Sequence, residues 1–320
     1  MRCVVFTGVG GGEVVDLQER PDPVLGSGEL LVRVRYAGLN PADLHQRAGH
    51  YPAPPGAPQD IPGLEVAGVV ESVGNQVLSY RPGDRVFGLI AGGGLANRVA
   101  VHERCVTRVP ESLSDLEAAA VPEAFITAHD AIRTRGRLAM GETLLVHGAN
   151  GGVGTAGVQI GVAAGARVVG VVRSEESAAL VRELGAEPVA DESFADEVRA
   201  DVILELVGAP HFPANLTALN PRGRIVVVGV GAGSKVELDL GAMMGRRAEL
   251  HGTVLRARSL EDKALAVRAF EREVVPQFEW GRMRPLIDRV YPAERARDAY
   301  DRLAGSGKSG KVLIDFGEES

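Results

Sequence analysis

The sequence predicts an α/β protein in which a helix-covered parallel sheet is inserted into a β-rich domain. Three observations carry this. Between residues 143 and 230 four apolar runs recur (143–147, 167–172, 201–207 and 224–230), the first two each followed by a helical stretch. Continuous apolar strands of that kind are buried on both faces, as in a parallel sheet. The first third is instead turn-rich with period-2 alternation, and the elements after residue 259 lose the strand–helix rhythm, which reads as a return to the first domain. A chain of 320 residues also exceeds what a single hydrophobic core usually serves.

Residues 30–36 (L-L-V-R-V-R-Y) alternate apolar and basic side chains and predict a half-buried strand. Strands are expected at 66–73 and 84–89, the second introduced by the turn Arg81-Pro82-Gly83-Asp84. The Pro-rich loop 51–62 is long enough to be a functional loop or lid. Ser114 with Glu117 three residues on predicts a capped helix. After the strand at 143–147, a Gly-rich turn leads into a helix at about 154–164. A second unit follows, with a strand at 167–172 and a helix at 174–184 ended by Gly185. Apolar residues Leu260, Ala264, Val267, Phe270 and Val274 predict one helix over 259–278. A strand (285–291), a short helix (292–303) and a last strand (311–316) close the chain. The expected domains are 1–122, 123–262 and 263–320, the last rejoining the first.

Composition excludes several classes. Hydrophobic residues make up 45% and charged residues 24%, as in ordinary globular proteins. Acids outnumber bases, 42 to 35, and no Lys/Arg block supplies the basic footprint that nucleic-acid binding needs. Cys3 and Cys105 are too few for a disulfide framework or a structural zinc. No apolar run reaches the length of a membrane span and the N-terminus lacks a signal-peptide core, so a cytoplasmic protein is expected.

The strongest local signal is Leu144-Leu145-Val146-His147-Gly148-Ala149-Asn150-Gly151-Gly152-Val153-Gly154-Thr155. Glycines between a buried strand and a helix let the backbone turn tightly and approach a pyrophosphate, with the helix N-terminus aimed at its charge. The spacing is G-x-x-G-x-x-G in place of G-x-G-x-x-G, but the strand, helix and second βα unit a Rossmann fold requires are present. Gly307-Lys308-Ser309 imitates the end of a phosphate-binding P-loop but follows a helix, and the Gly needed five positions before Gly307 is Arg302. No tyrosine has a Lys four residues on, so the short-chain dehydrogenase pair is absent.

Ala37-Gly38-Leu39-Asn40-Pro41-Ala42-Asp43, Pro62-Gly63-Leu64-Glu65-Val66-Ala67-Gly68, Pro82-Gly83-Asp84-Arg85-Val86, Pro122-Glu123 with Thr127-Ala128, the glycine turn and Gly310-Lys311-Val312 follow one another in order. Together they resemble the zinc-free quinone oxidoreductases of the medium-chain dehydrogenase/reductase superfamily, the zeta-crystallin group. Leu255-Arg256-Ala257-Arg258 is similar to the tumour-suppressor-induced branch. The resemblance implies a Rossmann cofactor domain inserted into a GroES-like catalytic domain, a homodimer, and hydride transfer from NADPH to a quinone or similar acceptor. An enoyl or alkenal double-bond reductase and a non-catalytic, crystallin-like NADPH-binding protein are the rival readings.

Zinc-dependent relatives carry a His where this sequence has Leu64 and a Cys near Asn40, and the seven histidines form no H-E-x-x-H, so no metal site is expected. The resemblance places Asn40 and Thr127 beside the nicotinamide, Tyr51 at the substrate cleft as a possible donor, and His45 as a cleft-lining residue with a lesser claim to acid catalysis. Val254, Leu255 and Arg256 pass near the nicotinamide. Ala149, Gly151, Gly152, Val153 and Gly154 form the expected phosphate turn, with Val207 and Gly229 late in two further strands. An acid at the end of the second Rossmann strand would repel a 2′-phosphate. Here that strand ends at Arg173, followed by Ser174, which predicts NADPH over NADH, although Glu175 and Glu176 follow closely. A Lys and a Tyr that often hold the 2′-phosphate in the family appear as Ser177 and Asp191. The apolar segment 250–255 is the expected edge for dimerisation.

Overall fold

The computed structural model describes residues 1–317. The chain divides into two compact units, residues 1–123 with 255–320, and residues 124–254. The return to the first unit comes at Leu255, ahead of the expected 263.

The inserted unit is built on six parallel strands in the spatial order Glu187–Ala190, Arg167–Val172, Thr143–Val146, Ala200–Glu205, Leu219–Val227 and Glu249–Gly252. The order reverses beside Thr143–Val146, which makes its C-terminal end the switch point where doubly wound sheets bind ligands. Leu144, Leu145, Val146, Val202, Ile203 and Leu204 are fully buried, as their unbroken apolar runs require. The helix Gly152–Ala163 begins two residues earlier than expected, because Gly151 serves as its N-cap. Glu249–Gly252 forms one edge of the sheet, with Leu250 still 43% exposed.

The first unit is β-rich. Five antiparallel strands run in the order Arg98–His102, Glu29–Arg33, Glu65–Val73, Arg85–Leu89 and Val106–Arg108. The C-terminal strand Lys311–Asp315 lies between Ile287–Pro292 and Tyr36–Leu39, with Leu313 opposite Gly38, so the two chain ends share one core. Within that core Phe6 and Tyr300 meet edge to face.

Two expected elements are divided. The strand predicted at 30–36 is two strands, Glu29–Arg33 and Tyr36–Leu39, in different sheets. The chain changes sheets at Val34, whose N–H turns to Asn97, and Arg35, whose carbonyl accepts from Phe316. The helix predicted at 259–278 breaks at Val274 into Leu260–Glu273 and Val275–Glu279, because Pro276 cannot donate to the continuing ladder. The hairpin Arg2–Phe6 with Val15–Glu19 has no counterpart in the sequence reading.

Candidate active site

In the first unit a buried polar cluster forms where Asn40 caps the helix Pro41–Arg47. Glu65 is its hub. Its Oε1 accepts from Asn40 Nδ2 at 2.9 Å and from Lys311 Nζ at 2.5 Å, and its Oε2 accepts the Glu123 backbone N–H at 2.9 Å. Lys311 Nζ also donates to Asn40 Oδ1 at 2.6 Å. Two glycines make room for this. A Cβ on Gly38 would lie 2.1 Å from Glu65 Oε1, and Gly310 (φ 90°) brings the chain against the Leu286 carbonyl just before Lys311. A buried ammonium–carboxylate pair is stable only with such complete hydrogen bonding.

Asp43 sits under Asn40, accepting the backbone N–H groups of Asn40 (2.8 Å) and Gly63 (3.2 Å). Burial pushes its carboxyl up to about 6 in spite of these bonds. Glu123, first residue after Pro122 in the helix Pro122–His129, is pushed up to about 8, by burial first and then by the Glu65 carboxylate. It therefore carries a proton at neutral pH. Because the folded state holds that proton where the unfolded chain, at about 4.5, has lost it, the contribution is present below about pH 4.5 and is lost as pH rises through about 8. Glu123→Gln should accordingly match the wild type at pH 4 and exceed it at pH 9 in urea unfolding. Part of Glu123 reaches solvent, so the gain is set at about 2 kcal/mol, well under the full linkage value. Equal stability differences at both pH values would refute this protonation state.

Tyr51 begins the Pro-rich loop and is half-buried, which raises its phenol and keeps it a hydrogen-bond donor at neutral pH. Arg256 holds it from below: its guanidinium lies 5.1 Å from the Tyr51 ring centroid. Arg256 donates to the carbonyls of Ala91 (2.8 Å) and Tyr51 (3.0 Å) and to Gln46 Oε1 (2.6 Å). Arg256, expected near the nicotinamide, ties three segments together through these donors, a use no local motif announces. Leu255 is buried beside it. His45 is exposed on the helix Pro41–Arg47.

In the second unit the glycine turn follows the strand as expected. Gly148 is left-handed (φ 56°), and a Cβ on Gly154 would lie 2.1 Å from the Gly148 carbonyl oxygen. Ala149 is fully buried and its N–H reaches Val171. Gly151 offers no side-chain cap, so the first N–H groups, those of Gly152, Val153 and Gly154, are open to an anion. Val207 N–H is held by Glu205 Oε1 at 2.6 Å, and Gly229 packs where a Cβ would lie 2.3 Å from the Leu206 carbonyl. Val254 is 51% exposed at the end of this unit. Thr127 is buried, yet its hydroxyl has no hydrogen-bond partner among the described residues.

Arg173 closes the strand Arg167–Val172 as an exposed guanidinium that forms no ion pair among the described residues. It lines a surface cavity of about 260 Å³ with Ser174, Arg182 and Glu192. Ser174 caps the helix Glu175–Glu183, accepting from the Ser177 N–H at 3.2 Å. Glu175 is bound to Arg182 at 2.7 Å.

Residues 26–111 match the alcohol dehydrogenase GroES-like domain, and 152–270 match the zinc-binding dehydrogenase family. Quinone oxidoreductase of Mus musculus is 33% identical over 98% of this chain and 97% of its own. The chain belongs to the quinone oxidoreductase group of the medium-chain dehydrogenase/reductase superfamily. It is therefore an oxidoreductase of that superfamily. The synaptic vesicle membrane protein VAT-1 homolog of Homo sapiens is 31% identical over all of this chain and 87% of its own. Among solved structures, a Pseudomonas syringae quinone oxidoreductase superposes with a TM-score of 0.86 at 27% identity, covering 98% of this chain and 99% of its own. A mycobacterial protein solved in complex with NADPH reaches 0.87 at 26% identity, covering 98% and 100%. The catalytic zinc found elsewhere in this medium-chain superfamily does not fit these residues: Leu64 is apolar and buried, and the Asn40 carboxamide is already bound to Glu65 and Lys311. The nicotinamide cofactor fits, with the open helix N-terminus and the orphaned Thr127 hydroxyl as its expected partners. Among the described residues no helix is long and apolar enough to cross a membrane.

Proposed function

We propose that this medium-chain enzyme is an NADPH-dependent reductase that passes hydride to a quinone or similar electron-poor acceptor, with no metal at the reacting centre. The observation that carries the reading is the donor set of the first unit. Where a metal would need His and Cys, this chain has Leu64 and an Asn40 held by an ammonium–carboxylate pair. Bound NADPH supplies the hydride, and one proton completes reduction of a quinone to its hydroquinone. The helix N-terminus at Gly152 holds the pyrophosphate by its N–H groups. The Thr127 hydroxyl offers a hydrogen bond to the nicotinamide. The Tyr51 phenol, positioned by Arg256, donates to the oxyanion that develops on the acceptor.

The preference for NADPH rests on Arg173. With no ion pair among the described residues, its guanidinium is available to a 2′-phosphate beside the Ser174 helix N-terminus. Arg173→Glu should lower kcat/KM for NADPH by about 2 kcal/mol, roughly 30-fold, and leave NADH nearly unchanged. Equal losses with both cofactors, or a wild type that prefers NADH, would defeat the assignment.

The reading includes a cytoplasmic homodimer joined through the edge strand Glu249–Gly252. That edge lies at the end of the sheet, and Leu250 and Val254 remain 43% and 51% exposed around it. Light scattering at micromolar concentration should give twice the chain mass; a monomer would exclude this interface.

A further inference from the structure

A second polar cluster lies entirely within the inserted unit, at the ends of three of its strands. Glu205, at the end of Ala200–Glu205, is fully buried and acts as its anchor. Its Oε1 accepts the backbone N–H groups of Val207 (2.6 Å) and Gly208 (2.9 Å), and its Oε2 accepts Asn215 Nδ2 at 2.6 Å. Because the Asn215 amide nitrogen must face that carboxylate, its Oδ1 faces His147 Nε2, 2.6 Å away. An oxygen acceptor there requires the proton on His147 Nε2. His147 Nδ1 is then a bare lone pair, inside a side chain with no exposure, and no hydrogen bond from the described residues reaches it.

Two further groups meet this ring. His211, in the short turn Ala209–His211, lies tilted by 31° against His147 with centroids 4.3 Å apart; its Nδ1 makes no hydrogen bond among the described residues and stands 3.9 Å from Glu205 Oε2. Asp191 follows the strand Glu187–Ala190 and places Oδ1 2.9 Å from His211 Nε2. Although that is hydrogen-bond distance, Asp191 Oδ1 makes no hydrogen bond among the described residues, so the two atoms are close without being aligned on each other. One nitrogen of each histidine and one Asp191 oxygen all lie within 4.8 Å of one another. Donors on a single tetrahedral zinc are about 3.3 Å apart, given bonds of about 2.0–2.1 Å, which falls within the range seen here. Phe194 packs edge-on against both rings and walls the cluster on one side.

We propose that His147, His211 and Asp191 form a binding site for a divalent transition cation of the zinc class, separate from the reacting centre. Two imidazoles and one carboxylate suit such an ion, and three protein ligands leave a fourth position for water. The Glu205–Asn215 pair supplies the outer hydrogen bonds that metal-binding histidines characteristically have, fixing the His147 tautomer. The cation would pin the segments after three strands, His147, Asp191 and His211, and so stabilise the cofactor unit; it takes no part in hydride transfer.

The test uses the full-length protein stripped of metal by a chelator and dialysed. Titration with Zn²⁺ by calorimetry, and with Co²⁺ by visible absorption, should give one saturable site per chain and the intense bands of low-coordinate cobalt. Thermal unfolding should shift upward with Zn²⁺. His211→Ala and the near-isosteric Asp191→Asn should each weaken Zn²⁺ binding at least about 10-fold and remove the shift. Asp191→Asn keeps the test decisive if His211→Ala folds poorly. Absence of a saturable site would overturn the proposal, and so would binding unchanged in Asp191→Asn, which would place the ion elsewhere.

Discussion

Lys311→Met should destabilise the protein by about 3–5 kcal/mol, the cost of leaving a buried carboxylate without its cation. Glu65 is 2% exposed and Lys311 4%, so water cannot replace the lost ammonium. The Met side chain fills most of the same volume, which separates the charge effect from a cavity. Glu65→Gln combined with Lys311→Met should recover much of the loss, because a neutral amide no longer needs the counter-charge. Urea unfolding of the two single variants and the double variant reads this directly. A loss below about 1 kcal/mol in Lys311→Met, or simple additivity in the double variant, would mean the cluster is not an interdependent network.

Gly154→Val should reduce NADPH affinity by about 100-fold or more. The added Cβ would stand 2.1 Å from the Gly148 carbonyl oxygen and 2.8 Å from the Ala149 Cα, and both are backbone atoms that cannot rotate away. The turn itself must shift, and with it the N–H groups proposed to hold the pyrophosphate; overpacking of this kind costs about 1–3 kcal/mol before any contact to the cofactor is lost. Gly245→Ala is the matched control, since nothing lies within 4 Å of its Cβ position. Titration of NADPH by its fluorescence should show the control unchanged. Unaltered binding in Gly154→Val would remove the turn from the cofactor site.

The four inner strands of the inserted sheet were legible because burial on both faces leaves an apolar run at each, as in 167–172, whereas the edge strands Glu187–Ala190 and Glu249–Gly252 are largely exposed and carry no such run. The glycine turn was legible for a related reason: its constraints are local and fall within a dozen residues. The divided strand at 30–39 was not, because alternation continues across Val34 and Arg35 while the hydrogen-bond partners change sheets. The polar networks were hidden by separation. Lys311 and Asn40 are 271 residues apart, and Arg256 reaches Gln46 across 210. His147, Asp191 and His211 share no spacing that a ligand motif would recognise, and only the parallel sheet brings their strand ends together. An acid closing an apolar strand, as Glu205 does in Ile203-Leu204-Glu205, was the one available signal for the second cluster.

The proposed chemistry is hydride transfer from NADPH to an electron-poor acceptor without a metal at the reacting centre. Stopped or steady-state assays on chelator-treated protein, with a panel of quinones and enones and with NADPH and NADH in parallel, test it most directly. One NADPH should be consumed per quinone reduced, with a higher kcat/KM for NADPH than for NADH and rates with quinones unchanged by metal removal. Turnover abolished by the chelator and restored by zinc, or no NADPH oxidation with any acceptor in the panel, would contradict it.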